Sequence, residues 1–458
     1  MIRPEAGTPS RPTQGRLAVR WARHTLGGER IRMGRGSIGL WGAVAIGVGG
    51  MVGGGIFAVL GLSVELAGGG APLAFLLAGV VALLTANSYV RLTLAFPNRG
   101  GTVTFLNEAF GTGMLSGGLN VMLWLSYLVM LALYAQAFGS YGASFVTGPA
   151  HTAARHVLLS AVVVTITGLN VLGADVVGRA ETVIVGLKVA ILLLFVGAGT
   201  LSIQVGRLAP ATWSSPLALA AGGMLIFLAY EGFELIANAA EDVRDPRRTL
   251  PRAYHLAVGF VVALYVAVAL VAVGAVPSAT LVDAKDYALA VAARPSLGEA
   301  GFALIAVAAM LSTASAINAS LYGAARISFV IARSGELPEA LERKVWNRPI
   351  EGLLITGAAT LVLANLVPLA SIAAVGSAGF LLIFTFVNVA NARLAGRTGA
   401  RRGVAWLAAG ASAAAFSALL VQGTREHPAQ LWFVAGLAIL AFGGERLYRS
   451  VVRRRPPP

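Results

Sequence analysis

The chain contains no cysteine and only five histidines among its 458 residues. The lack of cysteine excludes disulfide bonds and thiol chemistry. The histidines are scattered and show no HExxH or other ligand spacing, so we expect neither a metal site nor a cofactor. Charged residues form 12% of the chain, against about 25% in soluble globular proteins. The alternating ten-residue pattern of an outer-membrane barrel is also missing.

Long apolar stretches, in contrast, recur along the whole chain. About twelve of them approach the roughly 20 residues that a helix needs to cross a bilayer. We therefore predict an all-α polytopic membrane protein. No cleavable signal peptide is expected, because residues 1–37 are rich in Arg, Gly and Pro and lack an apolar core. The predicted spans are 38–62, 69–95, 116–146, 156–173, 181–204, 214–238, 253–276, 300–331, 351–369, 371–392, 404–422 and 429–448.

The net charge of +15 follows the topology of these spans. With an even number of spans, 29 of the 35 Lys and Arg residues fall on the side of the two termini, and five fall on the opposite side. This asymmetry is the positive-inside rule, which predicts cytoplasmic termini in a multi-pass protein of the cell membrane. Contact with anionic lipids accounts for the remaining basicity, and a nucleic-acid partner is not expected.

Glycine is concentrated in the first span, where six residues of the segment 47–55 are glycines. Each costs roughly 1 kcal/mol relative to alanine in a helix interior, so a continuous helix is unfavourable there. Close helix packing through small residues is the alternative explanation. The run is no phosphate-binding loop, since it lacks the GK[ST] sequence and a preceding strand.

The sixth span is interrupted in a similar way. Gly222, Gly223 and Gly232 lie within it, and its weakest part is 229–233. Paired interruptions at corresponding positions indicate an inverted-repeat transporter with its binding site near the bilayer midplane. The predicted division is a basic cytoplasmic tail (1–37), a first repeat (38–204), a second repeat (214–392), two further spans (404–448) and a basic cytoplasmic tail (449–458).

A broken helix offers two kinds of backbone group to a ligand. The exposed N–H groups that start its second half attract a carboxylate, and the carbonyls that end its first half attract an ammonium group. A site with both groups suits a zwitterionic amino acid. Glycine at 53–55 lets the backbone approach such a ligand closely.

Three motifs carry a resemblance to a known family: GGGIF at 53–57, FLAYEGFE at 227–234 and AEDVRDPRRTLPRA at 240–253. ARISFVIARSGELP at 325–338 adds a fourth. With these motifs the chain resembles the amino acid–polyamine–organocation permeases over essentially its whole length. The resemblance implies a five-plus-five inverted repeat with two further helices, broken first and sixth helices, and alternating access.

The resemblance also implies roles for individual residues. The substrate carboxylate would meet the N–H groups of the glycine turn, and its ammonium would meet carbonyls of the first and sixth spans. Many relatives have serine where this chain has Gly54, which removes a hydroxyl donor. Phe227 and Tyr230 are candidates for an aromatic lid, with ordinary packing as the alternative. The candidate binding residues are Met51, Gly53, Gly54, Gly55, Ile56, Phe227, Leu228, Ala229, Tyr230, Glu231 and Gly232.

Lys188 lies inside the fifth span, with no acidic residue three or four positions away in sequence. Snorkelling to the near interface is one explanation. Desolvation, however, disfavours the charged form of lysine, so such a group can exchange a proton near neutral pH. In proton-coupled relatives a lysine at this place replaces a sodium ion, which implies that Lys188 couples transport to protons. Candidate neighbours are Glu234, Ser312, Thr313 and Ser315.

Two carboxyl groups in the sixth span leave the substrate's side chain open. A charge at the bilayer centre costs about 2.5–3.5 kcal/mol, so ionisable residues there are functional candidates. Glu234 stands where relatives commonly have an acid. Glu231 would either recognise a cationic side chain or bond the N–H groups of the break. The charged segment 240–252 either satisfies topology alone or forms an intracellular latch.

We therefore expect a secondary active amino acid transporter, coupled to protons, and not an enzyme. An amino acid–amine exchanger without a coupling ion is the nearest alternative. A non-transporting membrane receptor for amino acids is an alternative of another class, against which the lack of a soluble signalling domain counts. The sequence determines neither the substrate nor the oligomeric state.

Overall fold

The computed structural model describes residues 36–98, 100–172, 177–333, 350–426 and 428–452. These residues form helices joined by short connections, and no strand occurs among them. Nine of the helices are long and apolar enough to cross a membrane, and two bent pairs raise the number to eleven. A shorter apolar helix, Ile350–Leu366, lies where the ninth span is predicted. The prediction of an all-α polytopic membrane protein is confirmed.

We keep the span numbers of the sequence analysis. The first six spans are Leu40–Met51 with Gly55–Ala67, then Ala71–Ala95, Met114–Ala143, Ala150–Leu172, Val177–Gly199, and Pro216–Leu225 with Phe227–Glu234 and Leu235–Asn238. Spans 7 to 12 are Pro246–Ala275, Ala288–Arg333, Ile350–Leu366, Leu369–Arg393, Arg402–Glu426, and Pro428–Ala438 continued by Ile439–Gly443 and Gly444–Val452.

Short helices occupy connections that the sequence analysis left without structure. Thr102–Phe110 lies between spans 2 and 3, and Ser278–Ala284 lies between spans 7 and 8. Gly298 has a φ of +64° inside Ala288–Arg333. Because this left-handed conformation cannot continue a helix, span 8 begins near the predicted residue 300. The remaining short helices are Thr200–Ser202, Val205–Leu208, Pro210–Thr212, Ala240–Asp242, Lys285–Tyr287 and Ala395–Thr398.

The packing of the spans follows a rule: many contacts recur when each of spans 1 to 5 is exchanged with its counterpart five places further along the chain, and the reverse. Span 1 packs on span 7 and span 6 on span 2, while span 3 packs on span 10 and span 8 on span 5. Span 3 also contacts span 4, as span 8 contacts span 9. Spans 2 and 7 and spans 3 and 8 pair with their own counterparts. A five-plus-five repeat produces this pattern.

The start of span 1 is joined to the segment that follows span 6. The Ile38 amide donates to the carbonyl of Asp242 at 2.9 Å, and the Arg244 amide donates to the carbonyl of Ile38 at 2.8 Å. This backbone pairing holds the start of span 1 beside the charged segment 240–252, which follows the end of span 6. Most of the predicted tail 1–37, the end of 449–458, and the last residues of the motif 325–338 lie outside the described residues.

Candidate functional site

Spans 1 and 6 are both interrupted, as the glycines predict. Helix Leu40–Met51 ends before Val52, and the chain resumes as Gly55–Ala67 at an angle of 48°. In span 6 the α-helix ends at Leu225, and Phe227–Glu234 continues as a 3-10 helix after a bend of 41°. The second break therefore begins before the predicted weak point at 229–233. A 3-10 segment of this length is uncommon, because 3-10 runs usually end after about three or four residues.

The two breaks lie against each other through glycine and alanine. A Cβ atom added at Gly50 would lie 2.6 Å from the carbonyl oxygen of Gly232. One added at Gly55 would lie 2.7 Å from the Cα and Cβ of Ala229. At both places the backbones of spans 1 and 6 touch, so larger side chains would separate them.

The carbonyl end of the first half-helix is bonded by side chains of three other spans. Lys188 Nζ of span 5 donates to the carbonyl of Gly49 at 3.2 Å. The Tyr265 hydroxyl of span 7 donates to the carbonyl of Met51 at 2.6 Å and lies 3.4 Å from that of Ala229. The Ser312 hydroxyl of span 8 donates to the carbonyl of Gly53 and lies 3.3 Å from that of Val52. Carbonyls at a helix end in an apolar medium need such donors.

The N–H end of the break is the start of helix Gly55–Ala67. Gly54 is its N-cap residue, and no side chain caps it. A Cβ atom at Gly54 would clash with the ring of Tyr134 and lie 2.7 Å from Cγ2 of Thr313. Gly54, where many relatives have serine, therefore leaves room for the ring of Tyr134 from span 3. The uncapped end retains the partial positive charge of a helix N-terminus.

The 3-10 segment of span 6 has three distinct faces, because side chains three residues apart overlie one another in such a helix. One face, Ala229 and Gly232, lies against span 1. The second is aromatic: the Tyr230 hydroxyl donates to the carbonyl of Phe75 at 3.0 Å, and Phe227 packs edge-on against Phe384. The third face consists of Leu228, Glu231 and Glu234.

Both predicted lid aromatics are fully buried in these packing contacts. The backbone around them is bonded by span 10, since the Leu228 amide donates to the Ser377 hydroxyl at 3.2 Å and that hydroxyl donates to the carbonyl of Leu225 at 2.6 Å. Ser377 thus bonds one N–H and one carbonyl at the break of span 6.

The two carboxyl groups of the third face differ in their partners. Glu234 accepts hydrogen bonds from the hydroxyls of Tyr89 at 3.0 Å, Thr102 at 3.1 Å and Tyr127. Glu231 is 4% exposed, and no described residue hydrogen-bonds its Oε2 atom. Burial of a polar atom without a hydrogen bond is costly, so this oxygen is a candidate for ligand binding.

The other predicted coupling residues lie at different distances from the breaks. Lys188 is 2% exposed and contacts the first break directly. Ser312 reaches that break, whereas the Thr313 hydroxyl bonds carbonyls of its own helix at Ala309 and Met310. Ser315 is half-buried. Among the described residues, no three His, Asp or Glu side chains lie together as a metal site requires.

Sequence reasoning missed the tyrosines at this site. Tyr89, Tyr127, Tyr134 and Tyr265 come from spans 2, 3 and 7, where each is one aromatic among many apolar residues. Thr102 belongs to the short helix that was not predicted. A spacing along one span does not reveal which residue of another span it meets, so the sequence carried no signal for these contacts.

Comparison with known proteins also indicates a transport protein. A family model described as amino acid permease matches residues 38–442. An uncharacterized protein of Methanocaldococcus jannaschii is 38% identical over 80% of this chain and 84% of its own length. The inner membrane transport protein YbaT of Escherichia coli is 36% identical over 78% of this chain and 83% of its own. The branched-chain amino acid permease BcaP of Bacillus subtilis is 26% identical, with shares of 77% and 79%.

The matched region includes both broken spans and the Lys188 contact. The named relatives among these matches are transporters and permeases rather than enzymes. The apolar spans agree with a multi-pass membrane protein. This chain belongs to the amino acid permease family.

Proposed function

We propose that the protein is a secondary active transporter that carries an amino acid across the cell membrane by alternating access, with a proton as the coupling ion. Both termini would face the cytoplasm, in agreement with the distribution of Lys and Arg. The observation that supports this proposal is the first break, where the carbonyl end of one half-helix and the uncapped N–H end of the next lie together in the buried interior.

The substrate would bind these two ends through its α-amino and α-carboxylate groups. The carboxylate would accept from the N–H groups at Gly54 and Gly55, where Gly53 and Ile56 flank the turn. The ammonium would donate to carbonyls near Met51 and to those of the 3-10 segment 227–231.

Side-chain donors already bond some of these carbonyls. Tyr265 bonds Met51, and Ser312 bonds Gly53. An arriving ammonium group would share or replace these donors, which would shift spans 7 and 8 relative to span 1. Substrate binding would in this way change the packing between the broken spans and the surrounding helices.

Lys188 would couple this movement to a proton. Its Nζ atom joins span 5 to Gly49, next to the break. A charged ammonium makes a stronger hydrogen bond than a neutral amine does. Loss of the proton would weaken the contact and release helix Leu40–Met51, whereas proton binding would restore it.

Uptake into proteoliposomes tests this proposal. An inward proton gradient is expected to drive accumulation by the wild type, and Lys188→Ala is expected to abolish that response while counterflow of the same amino acid persists. Lys285→Ala is the matched control, because Lys285 is an exposed lysine in an ion pair with Glu65 at 3.6 Å.

The outcomes separate the alternatives. Gradient-driven accumulation by Lys188→Ala equal to the wild type would rule out coupling through this lysine. Wild-type counterflow without any effect of a proton gradient would instead indicate an exchanger. Binding without counterflow would indicate a receptor and overturn the transport proposal.

A further inference from the structure

Glu231 and Glu234 occupy the same face of one short helix, yet their surroundings have opposite characters. Both are almost completely buried. Three hydroxyl groups donate to Glu234, so that both of its oxygens have partners. The Oε2 atom of Glu231 has no hydrogen-bond partner among the described residues. Glu234 is therefore held in place by the protein, while Glu231 retains an acceptor that the described side chains do not fill.

We propose that Glu231 binds the cationic end of the substrate's side chain, so that the transported substrates include dibasic amino acids such as lysine and ornithine. This inference rests on the amino acid transport proposed above. It assigns a role to a side chain, whereas the zwitterion contacts proposed above come from the backbone.

The position of Glu231 relative to the backbone site supports the assignment. Tyr134 lies against Gly54, at the N–H end that would hold the substrate carboxylate. The same tyrosine interacts electrostatically with Glu231. Gly54 and Glu231 thus both lie near one side chain of span 3, and Glu231 adjoins Gly232, which touches the first break. A substrate held by its α-groups at the break would have its side chain close to Glu231.

The chemistry of the acceptor favours a cation over a neutral donor. Glu231 and Glu234 interact with each other across one turn, by a hydrogen bond and by their charges. Two buried carboxyl groups are costly to ionise together unless a cation lies beside them. Hydroxyl groups surround Glu234, and a hydroxyl neutralises no charge. A terminal ammonium would fill the vacant acceptor and also compensate the charge, and such charge-assisted hydrogen bonds are the stronger kind.

Lysine and norleucine provide a matched pair of probes, since norleucine keeps the same carbon chain and lacks the terminal ammonium. In the wild type, lysine is expected to compete for uptake about tenfold better than norleucine, as a charged hydrogen bond to a buried acceptor allows. Glu231→Gln is expected to remove this preference, so that lysine and norleucine compete for the remaining uptake about equally well. Glu299→Gln, at an exposed carboxylate paired with Arg294, is the control.

Direct binding provides a second readout that is independent of transport. Lysine should raise the melting temperature of the detergent-purified wild type more than norleucine does. In Glu231→Gln, lysine and norleucine should raise the melting temperature by the same amount, because the ammonium contact is lost. An equal concentration of sodium chloride controls for ionic strength.

Each outcome bears on one claim. If the wild type takes up norleucine and lysine does not compete for this uptake, the proposed role of Glu231 is overturned and the proposed transport still stands. A Glu231→Gln protein that keeps the full lysine preference would also overturn it. If Glu231→Gln loses proton-driven uptake of both probes equally, Glu231 serves the proton and not the side chain. A wild type that moves no amino acid would contradict the transport function itself.

Discussion

Gly50 and Gly232 touch backbone to backbone at the crossing of the two broken spans. A Cβ atom at Gly50 would lie 2.6 Å from the carbonyl oxygen of Gly232, and one at Gly232 would lie 2.5 Å from that of Gly50. Real Cβ atoms essentially never come within 3.0 Å of another atom. The crossing therefore requires glycine on both sides, and it sets how closely the halves of the site approach.

Gly232→Ala is expected to lower both stability and uptake. The new methyl group would push span 6 away from span 1, and such overpacking usually costs about 1–3 kcal/mol. The melting temperature in detergent and uptake in proteoliposomes measure the two effects. Gly259→Ala in span 7 is the control, since no atom lies within 4 Å of its added Cβ. Equal melting temperatures and uptake for the two variants would contradict the tight crossing.

Tyr265→Phe tests how the carbonyl end of the first break is stabilised. Removal of the hydroxyl leaves the Met51 carbonyl without this donor, and an unsatisfied buried group costs about 1–3 kcal/mol. The melting temperature of the substrate-free protein should fall. A saturating amino acid should then raise it more than in the wild type, because the substrate ammonium supplies a donor in place of the hydroxyl.

The matched control for that measurement is Tyr254→Phe. Tyr254 is equally buried in the same span, but its hydroxyl lies 3.4 Å from that of Thr93 and away from the break. Its substrate-induced stabilisation should equal that of the wild type. An increase of the same size in both variants would show that the hydroxyl of Tyr265 and the substrate do not share an acceptor.

The local sequence was sufficient to predict which spans are broken. Six glycines in the segment 47–55 disfavour a continuous helix wherever they lie, so the first break needed no tertiary information. The predicted weak point 229–233 lies within the 3-10 segment Phe227–Glu234, which begins two residues earlier. At this start Ser377 of span 10 bonds the carbonyl of Leu225 and the N–H group of Leu228. Contacts between residues so far apart leave no trace in a single sequence.

The two carboxyl groups show the same limit at the level of side chains. Burial of Glu231 and Glu234 follows from their place in an apolar span. Their different surroundings follow from where Tyr89 and Tyr127 reach the sixth span, together with Thr102 from a short helix that no apolar pattern marked. The residue types predicted a polar site. The packing of spans 2 and 3 determined which of the two carboxyl groups accepts hydrogen bonds from the protein's own hydroxyl groups.

Glu234→Ala is expected to be more destabilising than Glu234→Gln. Alanine leaves the hydroxyls of Tyr89, Thr102 and Tyr127 without their acceptor, whereas glutamine keeps one oxygen for them. Leaving buried donors unsatisfied costs about 1–3 kcal/mol each, so the alanine variant should show the larger fall in melting temperature. Thr102→Val removes a single donor and should have a smaller effect than either. Equal melting temperatures for Glu234→Ala and the wild type would exclude a structural role for this carboxylate.

Gly54→Ser introduces the residue that many permeases have at this position, and here it is expected to be unfavourable. The serine Cβ would meet the ring of Tyr134 and the Cγ2 atom of Thr313. Tyr134→Ala removes the ring and should relieve part of this clash, giving a coupling between the two changes of about 0.5–3 kcal/mol in a double-mutant cycle. Tyr134→Phe keeps the ring and should give no relief. The unfolding of all variants in detergent, measured at one lipid and salt composition, yields the coupling. If the effects of Gly54→Ser and Tyr134→Ala on the free energy of unfolding are fully additive, the backbone at residue 54 moves away from span 3 to accept a side chain. The match between Gly54 and Tyr134 is then not required.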